Sequence, residues 1–431
     1  MQYPRMLRVQ QKFDAPWIDD LPREVDRHLG ALDLGQQITP GDTVAITAGS
    51  RGITHIAKII KAAADHFKKL GAIPFVVPAM GSHGGGTAEG QRQIIESYGI
   101  TEEFMEAEIR SSMETVFVQE TPQGIPVHFD RNAFEADHVL VCGRVKPHTS
   151  FVGVIESGLC KMMLIGLGKH TGAKLYHQAI QDYSWPEIVT VLADTVLKEC
   201  KIIAGLAIVE SAYNKVGLIE AVRPNDFLER EKALLIISKK WMPRLPFQKV
   251  EILIVDELGK NISGTGMDTN VIGRKFNDHA ATQHDDVSVK RIFVRGLTNE
   301  THGNACGLGM AEVTNLRTID AVDRKTTAIN ALTGSHPSAA SLPMAFQTDR
   351  EAIDALFLTI GLIEPENSQV IHISNTLQIG EILVSEFYLP EIESRNDLEI
   401  LEDPRDMNFD DDGNLIPVAG AALAKPDHAV L

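Results

Sequence analysis

Histidines and lysines set in glycine-rich, apolar stretches are the residues of this chain best suited to chemistry. One stretch, LVCGRVKPHTSFVGVIESGLCKMMLIGLGKHTGAKLYHQA (140–179), carries His148, Lys161, His170 and His177. A second, PAMGSHGGGT (78–87), carries His83 ahead of three consecutive glycines. Polar groups in apolar surroundings are costly unless paired or used, and imidazole serves as acid, base or metal ligand near neutral pH. Two histidines delivered to one cleft by different strands suit a two-base reaction, each taking or returning a proton on one side of a substrate. Lys161, between Leu159-Cys160 and Met162-Met163-Leu164, either snorkels to water or loses its proton by desolvation and becomes a nucleophile able to hold a cofactor. His170 and His177 are seven apart, compatible with one helix face. A single neutral imidazole suits nickel, copper or zinc. With no HExxH and no carboxylate at ligand spacing, an all-protein metal site is not expected, but one histidine can complete a metal held mainly by a cofactor.

Two further loops join these. Ala48-Gly49-Ser50-Arg51-Gly52 links a strand-like run to a helical one. Ser50, Arg51 and Gly52 are therefore candidates for gripping a phosphate or carboxylate with backbone N–H groups and a guanidinium. The loop is neither a GxGxxG nor a Walker A motif, and an ordinary strand-to-helix turn has the same pattern. In DELGKNISGTG (256–266), Glu257 and Lys260 precede a GTG turn, and Lys260 is a candidate for holding a substrate carboxylate.

The elements that must position these loops follow from periodicity. Strand-like runs at 41–49, 72–81, 137–145 and 202–212 alternate with helical spacing at 55–71 and 87–100, Thr87 being the predicted cap. Such alternation predicts an α/β fold with mostly parallel sheets. The first three loops then share the carboxyl edge of one sheet, where ligands bind in open α/β folds. The pattern breaks at WMPRLPFQK (241–249) and restarts at VEILIVDELG, giving predicted boundaries of 1–248, 249–400 and a tail 401–431. The acidic stretch 391–412 reads as a solvated, partly disordered surface segment.

The 431 residues carry a net charge of −17, which argues against nucleic acid as a partner. No apolar run suggests a membrane span and the N-terminus lacks an apolar signal core. The four cysteines lack CxxC spacing, so reduced thiols and a cytoplasmic location are expected. A homo-oligomer is left open.

Taken together, GSRG, GSHGGGT, KPH, the glycine-flanked Lys161, the YH pair at 176–177 and ELGK resemble the nickel-pincer lactate racemase family over most of the chain. The resemblance implies two α/β domains with the active site in the cleft between them and a C-terminal tail returning to the first domain. It implies a nickel-pincer nucleotide, a dithio pyridinium mononucleotide, linked or close to Lys161. Its nickel would be bound by His177, sixteen residues further on, with His170 as fallback. His83 and His148 match the paired acid/base histidines. Arg51 matches a cofactor- or substrate-binding arginine, and Lys260, with Glu257, the substrate clamp. The implied reaction is racemisation or epimerisation of a 2-hydroxy acid at C2, by hydride transfer to and from the cofactor. The chain departs from the lactate enzymes in a longer His148–Lys161 interval, in Glu257 for glutamine and in Ala48 for aspartate, which leaves the substrate side chain open. An α/β dehydrogenase or lyase using an ordinary nicotinamide-type nucleotide and a non-catalytic nickel-cofactor-binding protein are the alternatives.

Overall fold

The computed structural model describes residues 1–50, 52–149, 152–180, 182–274 and 287–418. It divides into an N-terminal unit, Ala15–Met242, and a C-terminal unit, Met1–Asp14 with Pro243–Leu431. The first strand, β1 (Met6–Gln11), is thus part of the C-terminal unit.

The N-terminal unit is built on β2 (Thr43–Ala48), β3 (Ile73–Pro78), the hairpin β4 (Thr115–Glu120) and β5 (Pro126–Asp130), β6 (His138–Arg144), β7 (Ile202–Glu210) and β8 (Val216–Val222). Its five-stranded sheet runs β3-β2-β6-β7-β8, parallel except for β8; β4 and β5 pair apart from it. Successive side chains point to opposite faces, so both faces must be apolar when helices cover both. Ala45, Val77, Val139 and Val141 enter one core with the 159–167 segment and the helix Trp185–Glu199. Val44, Ile46, Val76 and Leu140 enter the other with the helices Leu21–Gly30 and Ile56–Lys69. From β2 the chain moves to β3 on one side, while β6 lies on the other. This reversal opens the crevice that α/β folds use for ligands. The loops after β2, β3 and β6 therefore share one edge, as expected from the sequence. Thr87 caps the helix Ala88–Ser97 by accepting from Gly90 N.

The C-terminal unit adds β9 (Lys249–Val255), β10 (Ser288–Val294), β11 (Val313–Asn315), β12 (Met344–Phe346), β13 (Val370–Ile373), β14 (Glu381–Ser385) and β15 (Leu398–Arg405). Its sheet runs β12-β11-β10-β9-β13-β14-β1-β15, parallel from β12 to β13 and antiparallel beyond. Inside it, Arg295 meets Asp256 and Asp349, Asp256 accepts from His372 Nε2 at 2.6 Å, and all four side chains are buried.

Two expectations are refined here. The compact units divide after Met242 rather than at 248, and Phe247 stacks on Tyr388 with ring centroids 3.8 Å apart. At the start of the tail, β15 pairs with β1 in the C-terminal sheet. The acidic stretch is exposed, and Leu398–Arg405 within it form an edge strand, with Glu402 facing Arg8 of β1 and Glu399 facing Lys12 just past β1. Charge on an edge strand also discourages pairing with other chains. Residues 419–431 lie outside the described residues.

Among the described residues, no helix is long and apolar enough to cross a membrane. All four cysteines are free and buried.

Candidate active site

One segment, Gly158–His170, acts as a keel under the three loops. It begins as a short helical turn, Leu159–Lys161, and runs into a π-helical turn, Met162–Gly166. Such widened turns recur at functional sites. A β-carbon at Gly49 would stand 2.8 Å from Met162 Cε, the flexible tip of that side chain, so the loop after β2 lies close against the keel. Gly81 N donates to Gly166 O at 3.2 Å, pinning the loop after β3. On the third side, a β-carbon at Gly143 would stand 3.4 Å from both Gly158 O and Met162 Cβ.

His83 sits in the second loop, followed by Gly84, Gly85 and Gly86 at φ +66°, +67° and +66°. Side chains rarely adopt that left-handed region, and a β-carbon at Gly84 would also lie 2.5 Å from Gly90 C. His83 Nδ1 is hydrogen-bonded to Ser50 Oγ. Tyr98 Oη in turn donates to Ser50 O at 2.8 Å, fixing that residue's backbone. The Ser50 hydroxyl is thus turned to a histidine of the next loop. Gly52 O accepts from Arg144 Nη1 at 3.3 Å. Arg51 lies outside the described residues.

His148 follows β6. Its backbone N–H donates to Glu156 Oε2 at 2.7 Å, and Gly153 N donates to Oε1 at 3.4 Å. Glu156 is buried and receives Lys239 Nζ at 2.5 Å. Sequence reasoning missed this brace. Its only signal is a carboxylate eight residues past a histidine, inside a glycine-rich loop.

Lys161 and His177 are both half-buried. Desolvation, then the Lys161 charge, pushes the His177 imidazolium down to a pKa of about 4. His177 is therefore a neutral imidazole at neutral pH, the form that binds a metal. His170 is exposed, next to the second loop: a β-carbon at Gly86 would lie 3.5 Å from its Nδ1. Behind Lys161, the buried carboxyl of Glu231 is pushed up to a pKa of about 7 by desolvation, although it accepts from Cys160 N at 2.9 Å.

Lys260 and Glu257 belong to the C-terminal unit. Lys260 Nζ donates to Gly264 O at 2.6 Å, and buried Glu257 accepts from Asn375 Nδ2 at 3.3 Å.

A neutral imidazole at His177 with Lys161 beside it is a donor set that could hold a metal carried mainly by a cofactor. Among the described residues, no three His, Cys, Asp or Glu side chains cluster as a self-contained metal site requires.

These features define an α/β domain whose histidine-bearing loops meet at the switch point of a parallel sheet. Residues 26–185 match the family model of the lactate racemase N-terminal domain. Over that part the chain is similar to that domain. No curated protein sequence matches it. Among solved structures it is similar to the lactate racemase apoprotein from Thermoanaerobacterium thermosaccharolyticum, at 14% identity and a TM-score of 0.48 over 80% of this chain and 85% of that one. It is also similar to a crystal structure of a Thermotoga maritima protein, at 14% identity and a TM-score of 0.47 over 64% and 70%.

Proposed function

We propose that the protein is a racemase or epimerase of a 2-hydroxy acid, acting at C2 with His83 and His148 as the acid/base pair. The observation that carries this reading is the match of residues 26–185 to the lactate racemase N-terminal domain. That segment contains both histidines, Lys161 and His177.

Inverting C2 requires the hydroxyl proton to be removed and returned. His83 Nδ1 is committed to Ser50 Oγ, so proton traffic at this residue runs through Nε2. With Nδ1–H donating to the hydroxyl oxygen, the ring keeps one orientation whether or not Nε2 is protonated. That constancy suits a residue that is a base in one direction and an acid in the other. His148 does the same work from the loop after β6, its backbone held by Glu156.

Lys161 and His177 would hold a nickel-pincer nucleotide. That group, when bound, supplies the hydride acceptor that protein side chains lack. The protein's own part is to keep His177 neutral and to present Lys161 beside it. Arg51 is proposed to grip the carboxylate, so that only C2 changes configuration.

The test is protein matured with the nickel cofactor, offered a panel of 2-hydroxy acid stereoisomers. At least one pair should interconvert. His83→Ala and His148→Ala should abolish turnover and retain nickel, whereas His177→Ala should lose nickel. Loaded protein that isomerises nothing in a broad panel would overturn the reading. Nickel retention in His177→Ala would transfer the ligand role to His170.

A further inference from the structure

Lys169 is fully buried, unlike the lysines that line the protein surface, and the acid/base scheme makes no use of it. Its backbone lies at φ +55°, a region that lysine seldom adopts. Its ammonium faces three partners. Asp130 Oδ2, at the end of β5, is 3.0 Å away and also buried. Pro78 O, the last residue of β3, accepts from Nζ. Gln91 Oε1, on the helix Ala88–Ser97, accepts at 3.2 Å. Asp130 keeps its other oxygen on Ala133 N at 2.8 Å.

The contact with Gln91 has a consequence for His83. An ammonium only donates, so the amide oxygen of Gln91 must be the atom facing it. The amide nitrogen then faces the other way, where Gln91 Nε2 donates to Gly81 O at 2.8 Å and to His83 O at 3.3 Å. Flipping the amide would set NH2 against the ammonium and oxygen against two carbonyls, three unfavourable contacts in a buried place. Gln91 is itself fully buried. The two carbonyls it holds lie in the left-handed glycine loop, whose backbone has few side chains of its own to hold it.

We propose that Lys169 is a positioning residue for His83, acting through the amide of Gln91. Asp130 neutralises its charge, Lys169 fixes the orientation of Gln91, and Gln91 holds the main chain on both sides of Ser82. The inference rests on the acid/base role given to His83 above.

Gln91→Glu is the decisive variant. It keeps an oxygen for Lys169 and removes the donor to Gly81 and His83. Gln91→Leu removes both contacts. The first readout is the set of ring 1H and 15N shifts of His83 in the full-length protein without cofactor, assigned by comparison with His83→Gln. Both variants should move the His83 signals while leaving in place those of His28 and His138, which bond to Glu24 and Asp42 instead. In cofactor-loaded protein, kcat should fall roughly 10- to 100-fold, with KM changed less than about threefold, as for a base displaced by about an ångström. Lys169→Met alone strands the Asp130 charge and threatens folding. The double variant Lys169→Met/Asp130→Asn removes both charges and should reproduce the His83 shift in a folded protein. Unchanged His83 signals in Gln91→Glu, Gln91→Leu and the double variant would overturn the proposal. So would a loss of kcat that tracks only the loss of folded protein. Displaced His83 signals in a protein whose wild type isomerises no 2-hydroxy acid would uphold the positioning and refute the racemase reading.

Discussion

Glu156 provides the sharpest test of how the His148 loop is held. Its carboxylate is buried, yet it serves the half-exposed Lys239 and the backbone N–H groups of His148 and Gly153. Glu156→Gln keeps an acceptor for His148 N and loses the charge. Because Lys239 is 40% exposed, water replaces most of that ion pair, and the loss should be about 1 kcal/mol. Glu156→Leu also strands the His148 N–H, which adds about 1–3 kcal/mol; the long contact to Gly153 adds little. The two variants should therefore differ by roughly 2 kcal/mol, or about 4–8 °C in Tm for a unit of this size. Urea titrations of both, with kcat measured in parallel, check the arithmetic. The Leu variant should lose roughly 100-fold in kcat as His148 drifts, and the Gln variant less than about tenfold. Equal stability of the two variants would refute the claim that the backbone bond to His148, rather than the ion pair, is the main contribution.

Three other outcomes follow from the same physics. With His177 held at a pKa of about 4, against about 6.5 when unfolded, the unfolded chain binds more protons between those values. The cofactor-free protein should thus lose stability as pH falls from 6.5 towards 4, and Lys161→Met should raise the His177 midpoint in an NMR titration; an unmoved midpoint would remove Lys161 as a neighbour. Glu231 has the opposite sign: its folded pKa is raised to about 7, so its contribution is present below about 4.5 and is lost as pH rises through 7. Glu231→Gln should flatten Tm against pH across that window, and an unchanged profile would count against the burial argument. Arg295→Met leaves buried Asp256 and Asp349 without their shared partner and should destabilise the C-terminal unit by roughly 3–5 kcal/mol; a urea midpoint equivalent to less than about 1 kcal/mol would refute it.

Much of the site was legible because it depends on local rules. Strands that are apolar on both faces, such as β2 and β6, can only be central strands between helices. Loops after parallel strands must emerge at one edge, so Ser50, His83 and His148 could be grouped before any coordinates. Thr87 was readable as a cap because capping is satisfied within one turn. The glycines after His83 were visible as a demand for unusual backbone, though not what they accommodate.

What stayed hidden depends on partners distant in sequence. Glu156 and Lys239 are 83 residues apart, and Lys169 reaches Gln91 and Pro78 across 78 and 91 positions. No spacing rule announces such pairs, since they exist only once β3, β5 and the keel are packed together. The same holds for the pairing that puts β1 beside β15, with Met6 opposite Arg405, 399 positions further along the chain. By itself, then, the sequence determined the alternating α/β layers and which residues carry chemistry, because periodicity and residue type act locally. Only the tertiary structure decided which groups orient them: that Ser50 faces His83, that Glu156 holds His148, and that His177 is kept neutral. Hydrogen-bond direction and desolvation are properties of the packed neighbourhood, not of any one residue.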